Sequence, residues 1–213
     1  LARELIARGA FAPRETDTPA ELPNTREERA AFVGAPGVWV VCETAEGTLT
    51  RASRELLGKA AELAPELANG VAAILLTADA GETAAEAARH GADIVYVATD
   101  ARLTPYRCEP WARVLADAAT ALQPEVVLFS ATTCGRDLAP RVASMLHTGL
   151  AADCTDLVVG DWTRQGVTHE RLLHMVRPAM AGGVLATCLC PTARPQMATV
   201  RPGVFPVQPS PRR

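Results

Sequence analysis

At 213 residues, 48% apolar and 21% charged, the chain is long enough for one large α/β domain with a full core, and barely for two small ones. Its net charge of −3 and pI near 5.8 give no basic footprint for nucleic acid, and no run of roughly eighteen apolar residues is present to span a membrane. The six cysteines are scattered without a CxxC, which points to a reducing cytoplasm rather than a disulfide framework.

Residues 1–36 read as an N-terminal extension with little to bury. A short helix at Arg3–Arg8 leads into a Pro- and Thr-rich stretch, Ala12–Pro23, and a charged patch, Arg26-Glu-Glu-Arg29. The segment is too charged for a signal peptide, and it does not begin with methionine. At Gly37 the character changes. Val38-Trp-Val-Val-Cys42 is an unbroken apolar run, as in a strand covered on both faces. Glu46-Gly47 makes a turn. Leu56, Ala60, Leu63 and Leu67, spaced by four, three and four, predict a helix that Pro65 and Gly70 punctuate. A strand at Val71–Leu76, a short helix at Thr83–Arg89 and a strand at Ile94–Val97 follow. Trp111, Val114, Leu115, Ala118 and Leu122 mark the next helix, and Val126–Phe129 the next strand.

Strands alternating with helices across short loops predict an α/β fold, three layers α/β/α around a mostly parallel sheet. After residue 150 the alternation stops. Leu157–Val159, Leu172–Val176, Val184–Cys190 and Met197–Arg201 read as strands, with a turn at Asp161–Gly166. The sheet is therefore expected to gain an antiparallel or mixed C-terminal extension. The domain spans 37–205, and 206–213 is a Pro-rich tail or linker.

The stretch Ala131–Leu157 follows the carboxyl end of a strand, the place where open α/β sheets meet ligands. Thr132, Thr133 and Gly135 lead into a helix over Asp137–Leu146, and Pro140 is expected in its first turn. No GxGxxG and no GxxxxGK[ST] occurs, which disfavours a nicotinamide or P-loop enzyme. His90, His147, His169 and His174 form no HExxH, and Cys188 and Cys190 lack further ligands nearby, so no metal site is expected. Asp137, Asp153 and Asp156 sit at turns or helix boundaries, where carboxylates cap backbone N–H groups. No nucleophile–base pair can be assembled, and no catalytic residue is assigned.

Arg136, near a helix start, opposes the macrodipole. It either reaches an anionic ligand or a partner's carboxylate, or pairs with Asp137, Asp153 or Asp156. Arg177, before Pro178 at a strand end, raises the same question, with Gly182-Gly183 permitting close backbone approach.

Longer motifs add a family resemblance. They are Val38–Glu43, Glu55-Leu-Leu-Gly-Lys-Ala60, Gly91-Ala-Asp-Ile-Val-Tyr-Val97, Pro124-Glu-Val-Val-Leu-Phe129 and Gly135-Arg-Asp-Leu-Ala-Pro-Arg141. Thr148-Gly-Leu-Ala-Ala-Asp-Cys-Thr-Asp-Leu157, Arg177-Pro-Ala179 and Arg194-Pro-Gln-Met-Ala-Thr-Val-Arg-Pro-Gly203 are more specific. Together, over about residues 37–205, they resemble the N-terminal domain of the electron transfer flavoprotein alpha subunit, the ETF alpha/FixB family. The sequence departs from the family pattern at Met180, where an aromatic is usual, and at Ala181-Gly182-Gly183, where Gly-Gly-Asn is usual.

The resemblance implies a fold related to the adenine-nucleotide-binding HUP class. It implies pairing with a beta subunit, and FAD held in the assembled complex rather than by this chain alone. AMP or a second FAD would sit in the partner subunit, and the glycine- and serine-rich FAD motifs of a C-terminal alpha domain are not found in these residues. A flavin dehydrogenase, such as an acyl-CoA dehydrogenase, would supply electrons. Cofactor contacts are expected at Arg136 and Arg177, and a partner interface at Arg136, Thr148, Asp153, Arg194, Gln196 and Arg201. The alternatives are a flavin-free assembly or docking subunit of a larger redox complex, and an autonomous nucleotide-binding HUP module.

Overall fold

The apolar run Val38–Cys42 is strand β1, and both faces of the domain are built on it. Its five residues are all buried, yet they serve two separate cores. Val38, Val40 and Cys42 point to one, Trp39 and Val41 to the other, as the two-residue period of a strand requires. The structure, a computed structural model, describes residues 37–67, 70–179 and 183–207. The expected helix at Arg3–Arg8, the polar stretch after it, Met180-Ala181-Gly182 and residues 208–213 lie outside these.

After β1, Thr44–Ala45 (β2) and Thr48–Leu49 (β3) form a small hairpin. Its turn, Glu46-Gly47, has φ of 51° and 76°, the paired positive values of a two-residue hairpin loop. Helix α1 (Arg51–Leu67) follows, then β4 (Val71–Thr77), α2 (Thr83–Arg89), β5 (Ile94–Thr99), α3 (Cys108–Leu122) and β6 (Val126–Ser130). Leu56, Leu57 and Leu63 of α1 lie fully inside, each contributing about 1.5–3 kcal/mol by leaving water. Helices α1 and α2 cover one face of the sheet, while α3 and α4 (Thr133–Met145) cover the other.

The remaining strands are β7 (Leu150–Cys154), β8 (Asp156–Arg164), β9 (Val167–Ala179), β10 (Val184–Cys188) and β11 (Gln196–Val200). Six strands make the central sheet in the order β5-β4-β1-β6-β11-β7, and every described pairing in it is parallel. The chain winds outward from β1 to β5, then crosses to β6 on the other side of β1. Strand order therefore reverses between β1 and β6, the switch point of the fold. The antiparallel C-terminal part is present, but as its own sheet, β10-β9-β8, rather than as an edge of the central one. Its strands β8 and β9 meet at Gln165-Gly166, a second turn with φ of 51° and 80°.

Two features differ from the sequence expectation. The segment read as Met197–Arg201 does not lie at an edge. It returns as β11, slots between β6 and β7 and is buried along its whole length, with its polar Gln196 and Thr199 each accepting a backbone N–H. Pro140 also lies in the interior of α4, not its first turn, because Thr132 caps the helix earlier by accepting the Gly135 N–H at 3.1 Å. The loss of one helical hydrogen bond at Pro140 is offset by the burial of Leu138, Ala139, Val142 and Ala143 on the sheet.

Candidate functional site

Strand β7 carries the feature from which the site is built. It pairs Ala151 with Ala198 and Cys154 with Val200, so it holds one residue more than β11 between those pairs. Such a bulge breaks the strand's alternation and re-aims a side chain. Asp153 accommodates it with φ of 61°, and its N–H donates to Thr199 Oγ1 at 2.8 Å. The carboxylate is thereby turned toward the carboxyl end of the sheet, where β11 and α4 each deliver an arginine.

Arg201 directly follows β11, with its N–H held by the Cys154 carbonyl at 2.9 Å. Its guanidinium grips both Asp153 oxygens, Nη2 to Oδ2 at 2.6 Å and Nε to Oδ1 at 3.3 Å. Arg136, in the first turn of α4, reaches Oδ1 through Nη2 at 3.4 Å. The hydrogen bond from Arg201, aided by the charges of both arginines, holds the Asp153 carboxyl below its usual range. Two cations thus share one anion, with side chains 61% (Arg136) and 45% (Arg201) exposed. Of the three aspartates considered for Arg136, Asp153 is the partner. Asp137 accepts the Tyr106 hydroxyl at 2.8 Å, and Asp156 accepts the Leu157 N–H at 2.8 Å.

Arg177 lies on β9 opposite Ala186, next to Val176, whose carbonyl accepts the Thr155 N–H at 2.8 Å. That places it by the corner where β7 passes into β8. Its Nε is buried and lacks a hydrogen-bond partner. Burial pushes the nearby Cys154 thiol up to about 12, with Cys188 adding to the rise and Arg177 opposing it.

Thr148, Arg194 and Gln196 gather elsewhere, at the amino end of β11. Thr148 Oγ1 donates to the Pro195 carbonyl at 2.8 Å. Arg194 pairs with Glu125 and donates to the carbonyls of Cys190 and Ala193, each at 2.9 Å. Gln196 is fully buried, and its Oε1 accepts the Leu173 N–H at 3.0 Å. These three side chains tie β11 to β9 and to the start of β6. With β11 rising about 3.3 Å per residue, Gln196 stands roughly 16 Å from Arg201, and Arg194 lies two positions further back.

A further cluster escaped the sequence reading. At the switch point, Thr132 Oγ1 donates to Glu43 Oε1 at 2.5 Å, joining the residue after β1 to the cap of α4. Burial raises the Glu43 carboxyl above its usual range, and the Thr132 hydrogen bond opposes the rise. Burial likewise raises the Cys134 thiol, with Glu43 and Asp137 contributing. Gly135 is required here, since a Cβ would overlap the Ser130 carbonyl oxygen. The readable signals were a small polar residue, Thr132, just past one strand and a glutamate directly after another, 89 positions apart. Among the described residues, no group of three or more His, Cys, Asp or Glu side chains could hold a metal ion. None of their helices is long and apolar enough to cross a membrane.

A profile of the electron transfer flavoprotein domain matches residues 38–213. The chain is 44% identical over 169 residues to an electron transfer flavoprotein subunit alpha of Megasphaera elsdenii, covering 79% of this chain and 48% of that protein. It is 41% identical over 204 residues to protein FixB of Azorhizobium caulinodans, covering 94% of this chain and 52% of that protein. It is 40% identical to the acryloyl-CoA reductase electron transfer subunit beta of Anaerotignum propionicum, over 79% of this chain and 50% of that protein. The chain spans about half the length of the curated relatives it matches. With its three-layer parallel fold and these matches, the chain belongs to the electron transfer flavoprotein family, as the N-terminal domain of an alpha-type subunit.

Proposed function

We propose that the protein is an alpha-type electron transfer subunit that scaffolds a beta subunit and FAD, carrying electrons from a flavin dehydrogenase to an acceptor. One observation carries the subunit reading. The central sheet is covered on both faces, whereas Val158 (47%), Val167 (57%), Val184 (55%) and Leu185 (67%) are all exposed on the second sheet. Val158 and Leu185 share one face of that sheet, opposite His174 and Pro178 of β9, and exposed apolar side chains on one face mark a surface made to be covered. Relatives named as electron transfer subunits support a beta-type partner for it.

A flavin dinucleotide needs an apolar slot for its ring and donors for its phosphates. Arg136 and Arg177 supply donor chemistry only, and Asp153 sets a negative charge beside Arg136. Arg177, with its buried Nε lacking a partner, fits a contact at the edge of FAD held elsewhere in the complex, and neither arginine makes a cradle for it. When bound, the flavin supplies the electron-accepting chemistry. This chain's part is to position and to dock. AMP or a second FAD belongs to the partner subunit, an acyl-CoA dehydrogenase is one candidate donor, and the assembly works in the cytoplasm.

The test is to purify the chain alone and together with its cognate beta subunit, then record visible spectra and bound nucleotide. Flavin absorbance that appears only in the co-purified complex is the expected result. A stable complex without flavin would instead make the chain an assembly module, and AMP on the lone chain would make it a nucleotide-binding domain.

A further inference from the structure

The cluster of Arg136, Asp153 and Arg201 sets two cations around one anion at the surface, leaving a net positive charge. Each guanidinium carries five N–H donors. Arg201 uses two nitrogens on Asp153, and Arg136 uses one, at the long distance of 3.4 Å. Asp153 is already engaged by the better-placed arginine. Arg136 is the looser arm, 61% exposed, and it is poorly placed for its own helix because its charge faces the positive end of α4.

The platform beneath is fixed. The bulge, the Thr199 hydroxyl and the Cys154 carbonyl hold Asp153 and Arg201, and the Thr132 cap holds the first turn of α4. The two outward guanidiniums can therefore be met without rearrangement. A group that enters between them must also tolerate Asp153. A second carboxylate carries one charge and completes an alternating ring of two cations and two anions. A phosphate or pyrophosphate brings more negative charge and sets it against Asp153 at close range, which is unfavourable. Location adds to this. Asp153 lies five residues before Val158 on the exposed apolar sheet, at most about 18 Å of extended chain. Both fall within one ordinary protein interface, with the ions at its polar rim.

We propose that Arg136 and Arg201 together receive one aspartate or glutamate side chain of the partner subunit, closing a four-membered ion cluster around Asp153. The inference rests on the subunit reading above, and it assigns Arg136 to a protein carboxylate rather than to flavin phosphates.

The test is to measure binding of the full chain to its cognate beta subunit by calorimetry or biosensor, over a salt series from low to physiological ionic strength. Arg136→Gln is expected to weaken binding about two- to fivefold, slow association and flatten the salt dependence, because a rim charge acts mainly on steering. Arg136→Lys should keep most of the salt dependence while losing part of the affinity, since it keeps charge but not the planar fork. Unchanged melting curves for both variants show that the loss is not misfolding. A complex that forms with wild-type affinity and salt slope in Arg136→Gln overturns this inference and leaves the subunit reading standing. So does an Arg136→Gln complex that assembles normally but loses flavin absorbance, which would give the arginine to the phosphates. A wild-type chain that forms no complex overturns both.

Discussion

Gln196 opens the five-residue strand β11, Arg201 directly follows its last residue, and the two have opposite uses. Gln196 is fully buried and accepts the Leu173 N–H at 3.0 Å, locking the second sheet to the first. Arg201 is 45% exposed and closes a two-point grip on Asp153. One strand therefore carries the fold at its amino end and the candidate site at its carboxyl end. The two ends should respond differently to substitution.

Gln196→Leu removes the acceptor of a buried backbone N–H while roughly keeping volume. Leaving the Leu173 N–H without a partner costs about 1–3 kcal/mol. A urea unfolding midpoint that falls with an unchanged slope is the expected result, with the Arg136–Asp153–Arg201 cluster undisturbed. A midpoint equal to wild type would mean that the Leu173 N–H finds another acceptor.

Gly135→Ala tests the approach of α4 to the central sheet. The added methyl points at the Ser130 carbonyl oxygen, a backbone atom that cannot swing away, and lies near Glu43 Oε1 at 3.5 Å. Overpacking of this kind costs about 1–3 kcal/mol, and here it also displaces the helix turn that carries Arg136. Reduced thermal stability should therefore come with weakened partner binding. Gly47→Ala is the control, because nothing lies near its Cβ, only its φ of 76° is strained, and its hairpin is not part of the second sheet.

The parallel half of the fold was legible because buried strands such as Val71–Thr77 and amphipathic helices such as Cys108–Leu122 each announce their period in local sequence. The insertion of β11 between β6 and β7 was not, since Gln196-Met-Ala-Thr-Val200, polar at two of its five positions, reads no less well as an edge than as a centre. Strand β7 went unread because its bulge at Asp153 breaks the alternation that would have marked it. Arg136 stood out in the sequence through its conflict with the helix dipole, but its choice of Asp153 over Asp137 and Asp156 depends on a left-handed residue that no local pattern signals. Thr132 was visible as a small polar residue, but its bond to Glu43 spans 89 positions.

Asp153→Asn should cost a little stability at neutral pH and less in acid. The wild-type carboxyl is held below its usual value, so its contribution is fully present above the unfolded value of about 3.9 and is lost as pH falls through the folded one. Because the group is exposed to solvent, screening keeps the neutral-pH change in melting temperature to about 2 °C. The stability difference between wild type and Asp153→Asn should shrink toward zero below about pH 4 and also in high salt. A difference that persists in acid would show that shape rather than charge is responsible.

Glu43→Gln gives the opposite sign. Burial raises the Glu43 carboxyl above 4.5, so between that value and the folded one the native state binds more proton than the unfolded chain. Stability due to Glu43 therefore falls as pH rises across that window. Glutamine keeps an Oε1 to accept the Thr132 hydroxyl but carries no charge to desolvate. Relative to Glu43→Gln, the wild type should be most stable near pH 4, lose ground as pH rises through the window above 4.5, and level off beyond it. Urea midpoints for both proteins at unit pH intervals from 4 to 8 measure this directly. A difference that stays flat would mean that water reaches the carboxylate and removes the cost of its charge, leaving the Thr132 bond as its whole contribution at the switch point.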